Sequence, residues 1–297
     1  MTKVSRDSVA GRAYLDLQNL GRRTGRPGAE LMQFYALEGF LARLVSSPHA
    51  KRLVLKGGVL LAAFGARRPT RDVDLAAQDM DGDAEHLLRA ARQIARVELD
   101  DGLLLDPDRA RAELIRESDA YPGVRITMPC KLATASVSFH VDFNVGDPIL
   151  PPPAIIALPR VLGGSIDLLG YSQSMVLAEK IVTALERGLA TTRWRDFADI
   201  LFLSDAASLD AAEMYESLAE VASHRGARLT TLADAVAGLE EVGQGRWESW
   251  RSKVGFEDRL PRDLGQVLQA VAAFADPVIL RRAGSGTWDP HRRSWNG

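Results

Sequence analysis

At 297 residues, 46% hydrophobic and 26% charged, the chain has the composition of a globular protein with room for one large or two ordinary domains. Its net charge of −2 does not announce a nucleic-acid partner, and no run approaches the roughly 20 apolar residues of a membrane-spanning helix. Met1-Thr2-Lys3-Val4-Ser5-Arg6 leads into polar sequence with no signal-peptide core, and Cys130 as the single cysteine excludes an internal disulfide and a Cys-rich zinc site. A cytoplasmic protein that does not engage a membrane is expected.

Residues 8–21 read as a helix, and Gly21 to Gly28, with Pro27, as a break. Residues 29–45 form an amphipathic helix, with Leu31, Phe34, Leu37, Leu41 and Leu44 recurring every three or four positions. Arg52-Leu53-Val54-Leu55 reads as a buried strand that runs into Lys56-Gly57-Gly58, and residues 60–64 as a short helix. Strand, Gly-Gly, helix is a layout in which backbone N–H groups hold phosphate oxygens, glycine allowing close approach. Arg68 and Thr70 follow, suited to neutralising and hydrogen-bonding a phosphate; a solvated loop charge is the bland reading of Arg67 and Arg68. Asp72 and Asp74 then flank Val73, so both carboxylates share one face of an extended strand. Such a pair repels without a cation and supplies oxygen ligands to Mg²⁺ with one. A lone Gly-Gly is usually a turn and a lone Asp-x-Asp a solvated edge; their combination after a strand favours a nucleotide site. No P-loop or dinucleotide fingerprint is present.

Further on, Asp81-Gly82-Asp83 caps a helix to about residue 95, residues 96–105 read as a hairpin turning at Asp101-Gly102, and residues 107–119 as loop or short helix. Tyr121-Pro122-Gly123 reads as a turn before a strand at 124–128. Residues 136–145 alternate, with Val137, Phe139, Val141, Phe143 and Val145 on one face and Ser138, His140, Asp142 and Asn144 on the other. Residues 148–159 read as a stiff proline-rich connector, 166–169 as a last short strand, and the remainder as helices near 174–187, 193–203, 210–223, 227–240 and 262–275. Lys180 is one of six lysines among thirty-one arginines, as is Lys56, and both suit a phosphate oxygen. Both ends are locally basic. The last also carries Trp288, His291 and Trp295, a mixture that suits a single-stranded nucleic-acid end or an ordinary solvated terminus.

The run Tyr35-x-x-Glu38-x-Phe40-Leu41-x-Arg43-Leu44-x-x-Ser47, then Leu55-Lys56-Gly57-Gly58, then Arg68-Pro69-Thr70-Arg71-Asp72-Val73-Asp74-Leu75, resembles the AbiEii/AbiGii toxin family. That family includes the MenT toxins and belongs to the DNA polymerase β-like nucleotidyltransferases. The resemblance is specific over residues 30–80 and runs in patches to about 205. It implies an α/β (α+β) fold: a nucleotidyltransferase core of mixed sheet and flanking helices over residues 1–165, then a helical C-terminal part over 166–297. It also implies that Asp142 joins Asp72 and Asp74 as a third carboxylate, the three holding one or two Mg²⁺ ions and Asp142 activating an incoming hydroxyl. Within Lys180…Arg195-Asp196-Phe197-Ala198-Asp199 it implies that Lys180 contacts a triphosphate with Asp199 close by; a plain ion pair between two helices is the alternative. Lys56, Gly57, Gly58, Arg68, Thr70 and Lys180 are then the nucleotide-binding set. Tyr35, Glu38 and Arg43 match the pattern without evident chemistry and read as scaffold. The implied activity is Mg²⁺-dependent transfer of a nucleoside monophosphate from an NTP to a hydroxyl, with a tRNA 3′ end as acceptor and a cognate antitoxin as partner. A small-molecule (antibiotic-modifying) nucleotidyltransferase and a non-catalytic NTP-binding protein are the alternatives.

Overall fold

The structure is a computed structural model that describes residues 4–115 and 123–296. The chain divides into two compact units. The first comprises Met1–Ala63, Arg67–Asp147 and Ala154–Gly170, and the second Phe64–Ala66, Pro148–Pro153 and Tyr171–Gly297.

The first unit is a mixed sheet flanked by helices. Helix α1 (Val9–Thr24) starts at Ser8, whose hydroxyl accepts from the Gly11 N–H, and ends at Gly25 in the left-handed region. Helix α2 (Gly28–Val45) buries Leu31, Phe34, Leu37, Phe40, Leu41 and Leu44. Strand β1 (Leu53–Lys56), α3 (Gly57–Leu60) and β2 (Asp72–Ala77) follow. Helix α4 (Ala84–Ala95) is capped by the Asp83 carboxylate, which accepts from the His86 N–H. The other strands are β3 (Leu103–Leu105), β4 (Arg111–Ile115), β5 (Gly123–Leu132), β6 (Ala135–Val145), β7 (Ala154–Pro159) and β8 (Ser165–Gly170). They order as β3-β5-β6-β2-β1-β8-β7, with β4 also on β5. The β2/β6 and β1/β8 pairs are parallel and the rest antiparallel. Helix α2 packs on β6, where Phe40 meets Phe139 edge-to-face with ring centroids 5.8 Å apart. Burying each such side chain contributes roughly 2 kcal/mol.

Several local expectations differ from this fold. No hairpin forms over 96–105: only β3 is extended there, and it pairs with β5. The Asp101 carboxylate is instead used from outside. Arg43 Nη1 and Nη2 donate to its two oxygens at 2.6 and 3.0 Å, and the Leu103 N–H to one of them at 3.0 Å. The region read as loop or short helix contains β4, which pairs Ala112 with Ile126; residues 116–119 of that region, and Tyr121 and Pro122 of the expected turn, lie outside the described residues. The strand expected at 124–128 runs to Leu132, because β6 pairs with it throughout. Pro129 falls where β4 has ended and β3 has not begun, so its missing N–H breaks neither ladder on that side. The proline-rich connector contains β7, an edge strand on which Pro159 is tolerated. Strand β8, placed by its sequence position at the head of the helical part, joins the sheet beside β1.

The matched residues without evident chemistry are clamps. Tyr35 donates from its hydroxyl to the Asp101 carbonyl at 2.8 Å, and Arg43 holds the Asp101 carboxylate as described. Buried Glu38 accepts from Arg67 Nη1 at 2.8 Å and from the Val161 N–H at 3.0 Å. Arg67 lies over the Phe34 ring and also donates to the Pro159 carbonyl. Arg67 is therefore not a solvated loop charge; it anchors the segment leading into β2 to helix α2 and to the β7–β8 connection.

The second unit is helical. It contains α5 (Gln173–Arg187), α6 (Trp194–Ala206), α7 (Ala211–Arg225), α8 (Leu232–Ala235), α9 (Leu239–Lys253) and α10 (Leu264–Ile279). The helix expected over 227–240 is replaced by the short α8 and by α9, which begins after Gly238 in the left-handed region. Helix α10 packs against α6, α7, α8 and α9. The end of the chain keeps Arg281, Arg282, Arg292 and Arg293 exposed but packs its tryptophans inward rather than presenting them as a stacking platform. It forms a hairpin, β9 (Thr287–Asp289) with β10 (Ser294–Asn296). Trp288 is 1% exposed and donates its indole N–H to the Ser204 carbonyl at 2.7 Å; Trp295 donates to the Phe274 carbonyl at 2.9 Å. Both rings pack on Phe274, and Arg293 holds Asp205 with two hydrogen bonds. No helix among the described residues is long and apolar enough to cross a membrane.

Candidate active site

Strands β2, β6 and β5 are adjacent, so side chains one and two positions along each fall into rows across the sheet. Asp74 is level with Asp142, and Asp142 with Arg125. One step back, Asp72 is level with His140, and His140 with Thr127. Alternation thus brings Asp72, Asp74 and Asp142 to one face. Asp142 is 5% exposed although it lies on the polar face of β6; at this end of the strand both faces are covered.

The carboxylates have different surroundings. Asp142 Oδ1 accepts from Arg125 Nε at 2.8 Å and Oδ2 from Arg125 Nη2 at 2.7 Å. The same Nη2 lies 3.8 Å from Asp72 Oδ2. Asp74 accepts from the Gly58 N–H at 3.4 Å. Burial first, and the charges of Asp142 and Asp72 after it, push the Asp74 carboxyl up to about 6, against the opposing charge of Lys56. Among the described residues no three His, Cys, Asp or Glu side chains already converge as a metal cage. His140 Nδ1 is 3.1 Å from Thr127 Oγ1.

Lys56 closes β1 and is buried, its Nζ 2.7 Å from Asp147 Oδ2. Asp147 follows β6 after Gly146, and nothing in its local sequence distinguishes it. Gly57 has φ +67°, and a Cβ there would fall inside the Asp74 carboxylate. A Cβ on Gly58 would lie 2.9 Å from Thr70 Oγ1 and 3.3 Å from Arg68 Nη1. The glycine pair is therefore demanded by Asp74, Thr70 and Arg68 themselves, which pack onto the turn. Arg68 is 8% exposed, so the solvated-loop reading fails for it too, and Nη1 donates to the Pro69 carbonyl at 3.2 Å. The structure thus gathers Lys56, Gly57, Gly58, Arg68, Thr70, Asp72, Asp74 and Asp142 within the first unit and adds Arg125 and Asp147, which residue type and spacing did not single out. Only the cross-strand register reveals Arg125.

Lys180 and Asp199 belong to the second unit. Lys180, on α5, donates from Nζ to Asp199 Oδ2 at 2.6 Å and to Asp196 Oδ1 at 3.0 Å, both on α6. Asp199 is fully buried. Arg193 Nη1 lies 3.6 Å from Asp196 Oδ2. A lysine fixed by two carboxylates points in one direction, and the helix-to-helix ion pair is present as such.

No curated protein matches the chain significantly. Among solved structures, the Helicobacter pylori protein JHP933 is similar at 14% identity and a TM-score of 0.49, over 95% of this chain and 97% of that one. An antigenic nucleotidyltransferase-like protein from Paracoccidioides brasiliensis is similar at 15% identity and a TM-score of 0.40, over 69% of this chain and 93% of that one. A family model described as nucleotidyl transferase AbiEii toxin, Type IV TA system, matches residues 39–273. That span takes in the glycine turn, the carboxylate strands and most of the helical unit, and the chain belongs to the AbiEii nucleotidyl transferase toxin family.

Proposed function

We propose that the chain transfers a nucleoside monophosphate from an NTP to an acceptor hydroxyl, releasing pyrophosphate, and that a tRNA 3′ end is the acceptor. The single observation that carries the transfer is the row of Asp74 beside Asp142, with Asp72 one step back, against the Gly57-Gly58 turn; the tRNA acceptor rests on the family resemblance. Three carboxylates with only oxygen donors fit Mg²⁺, and Asp74, pushed up first by burial and then by the charges of Asp142 and Asp72, is a carboxyl whose ionised form a bound cation would favour. Asp72, Asp74 and Asp142 would hold the ion; when bound, it neutralises phosphate charge and the developing charge on the reacting oxygens.

The chain's own groups supply positioning and charge, which is most of what phosphoryl transfer asks of a protein. Lys56, steadied by Asp147, offers one cation to the phosphates, and Arg68 with Thr70 offers a guanidinium and a hydroxyl at the same turn. Asp142 accepts the proton of the incoming hydroxyl. Lys180 of the second unit, held by Asp199 and Asp196, is the further cation that the family resemblance assigns to the triphosphate. In this reading the chain is the toxin of a toxin–antitoxin pair, held in check by a cognate antitoxin.

Incubation with each labelled NTP, Mg²⁺ and total RNA tests the reading. Wild-type protein should label the RNA, and Asp72→Ala or Asp74→Ala should abolish labelling with the fold kept. Lys56→Ala and Lys180→Ala should each lower the rate roughly a hundredfold, the usual effect of removing a transition-state charge contact. Full activity in either aspartate variant removes the metal-site assignment. Labelling of a small aminated sugar but never of RNA replaces the acceptor.

A further inference from the structure

Arg125 has no part in the reading above, yet it is the residue most closely engaged with the carboxylates. Its fork spans both oxygens of Asp142 and reaches to 3.8 Å of Asp72, so one cation serves two of the three acids. A guanidinium does not deprotonate in a protein and leaves only by moving. At 29% exposure, the side chain has solvent on one side to move into. The pair is not needed for strand register: β5 and β6 are already paired from Val124 opposite Phe143 to Leu132 opposite Ala135. A carboxylate with both oxygens in a fork has few lone pairs left for a metal ion, and a guanidinium beside that ion repels it.

We propose that Arg125 is the resident counter-cation of the carboxylate row, holding Asp142 until a divalent cation displaces it, and that it thereby sets the divalent-ion concentration the site requires. The inference rests on the reading of Asp72, Asp74 and Asp142 as metal ligands. It makes Arg125 a positioning residue that controls the availability of Asp142.

The test is Mn²⁺ binding, by the loss of free-ion paramagnetic resonance signal, to the full chain without nucleotide. Arg125→Gln should bind Mn²⁺ about tenfold more tightly than wild type, the scale of one unit charge removed a few Å from the ion in a partly solvated site. Between D142N and R125Q/D142N the gain should shrink, because the part that comes from freeing Asp142 is lost and only the removed repulsion of the ion remains. Arg125→Lys, which keeps the charge and loses the fork, should lie between; it provides the measurement if the Gln variant does not fold. Equal Mn²⁺ affinity in wild type and the folded variant overturns the proposal, as does an undiminished gain between D142N and R125Q/D142N. Nucleotide transfer assayed on the same wild-type preparation separates the two readings. A Mn²⁺ gain without transfer to any acceptor supports the counter-cation and removes the transferase reading. Transfer without a gain removes the counter-cation alone.

Discussion

At Gly57 the backbone sits at φ +67°, and a methyl group would enter the Asp74 carboxylate. Two penalties therefore meet at one residue: left-handed strain and a collision with a proposed ligand. Gly57→Ala should cost about 1–3 kcal/mol and displace Asp74, with loss of transfer. Gly25 at φ +71° has nothing within 4 Å of its added Cβ, so Gly25→Ala isolates the strain, about 1 kcal/mol, with transfer intact. Thermal unfolding of the two variants beside the labelling assay checks both. Cys130 offers a second residue-scale outcome. Burial pushes its thiol up to about 12, so in the folded chain it stays protonated through the range in which an exposed thiol ionises. Because the native state keeps a proton that the unfolded state loses above about 9, this group makes stability fall as pH rises from there. A thiol reagent at pH 8 should label Cys130 only at the rate of unfolding; rapid labelling of native protein contradicts the burial argument.

Helix α2 is tied to distant segments by ions rather than by apolar contact alone. Arg43 and Asp101 form a buried bidentate pair, and Glu38 receives Arg67 and the Val161 N–H. Removing one member of a buried pair leaves the other uncompensated, typically at about 3–5 kcal/mol. Arg43→Ala should lower the urea midpoint accordingly. Arg67→Ala, whose partner keeps the Val161 N–H, should cost less and act mainly on the segment entering β2. A transfer rate that falls further than stability does in Arg67→Ala is the signature of that positioning.

For the whole molecule, the chain's end is part of the second unit's core. Trp288→Ala should cost about 3–5 kcal/mol, the range for a large buried aromatic. Truncation after Leu280 removes Trp288 and Trp295 and should abolish cooperative unfolding of the helical unit, so lost RNA labelling after truncation would report unfolding rather than a lost RNA contact. An RNA acceptor is better tested by salt. If three single-strand phosphates are neutralised, the log–log slope of binding against salt is about −2, and a small-molecule acceptor shows no such dependence.

Much of the candidate site's geometry was legible in the chain itself. The period-2 alternation of β6 placed Asp142 on the polar face, Asp-x-Asp placed two carboxylates on one side of β2, and a buried strand running into Gly-Gly marked the turn. These signals are local, because side-chain direction along a strand follows from backbone geometry alone. The helical periodicity of α2 was legible for the same reason. Its clamps were not: Arg43 and Asp101 are 58 residues apart and Glu38 and Val161 are 123 apart, and no local rule pairs them. The same holds for Arg125, which meets Asp142 only because β5 and β6 pair in one register. It holds also for Trp288 and Trp295, whose polar, basic neighbours read as solvent-facing until the rings are seen packed on Phe274. Local sequence decided which residues are candidates for chemistry and which way each strand presents them; tertiary structure decided which charges neutralise one another, because that depends on strand order and on contacts closed over long stretches of chain.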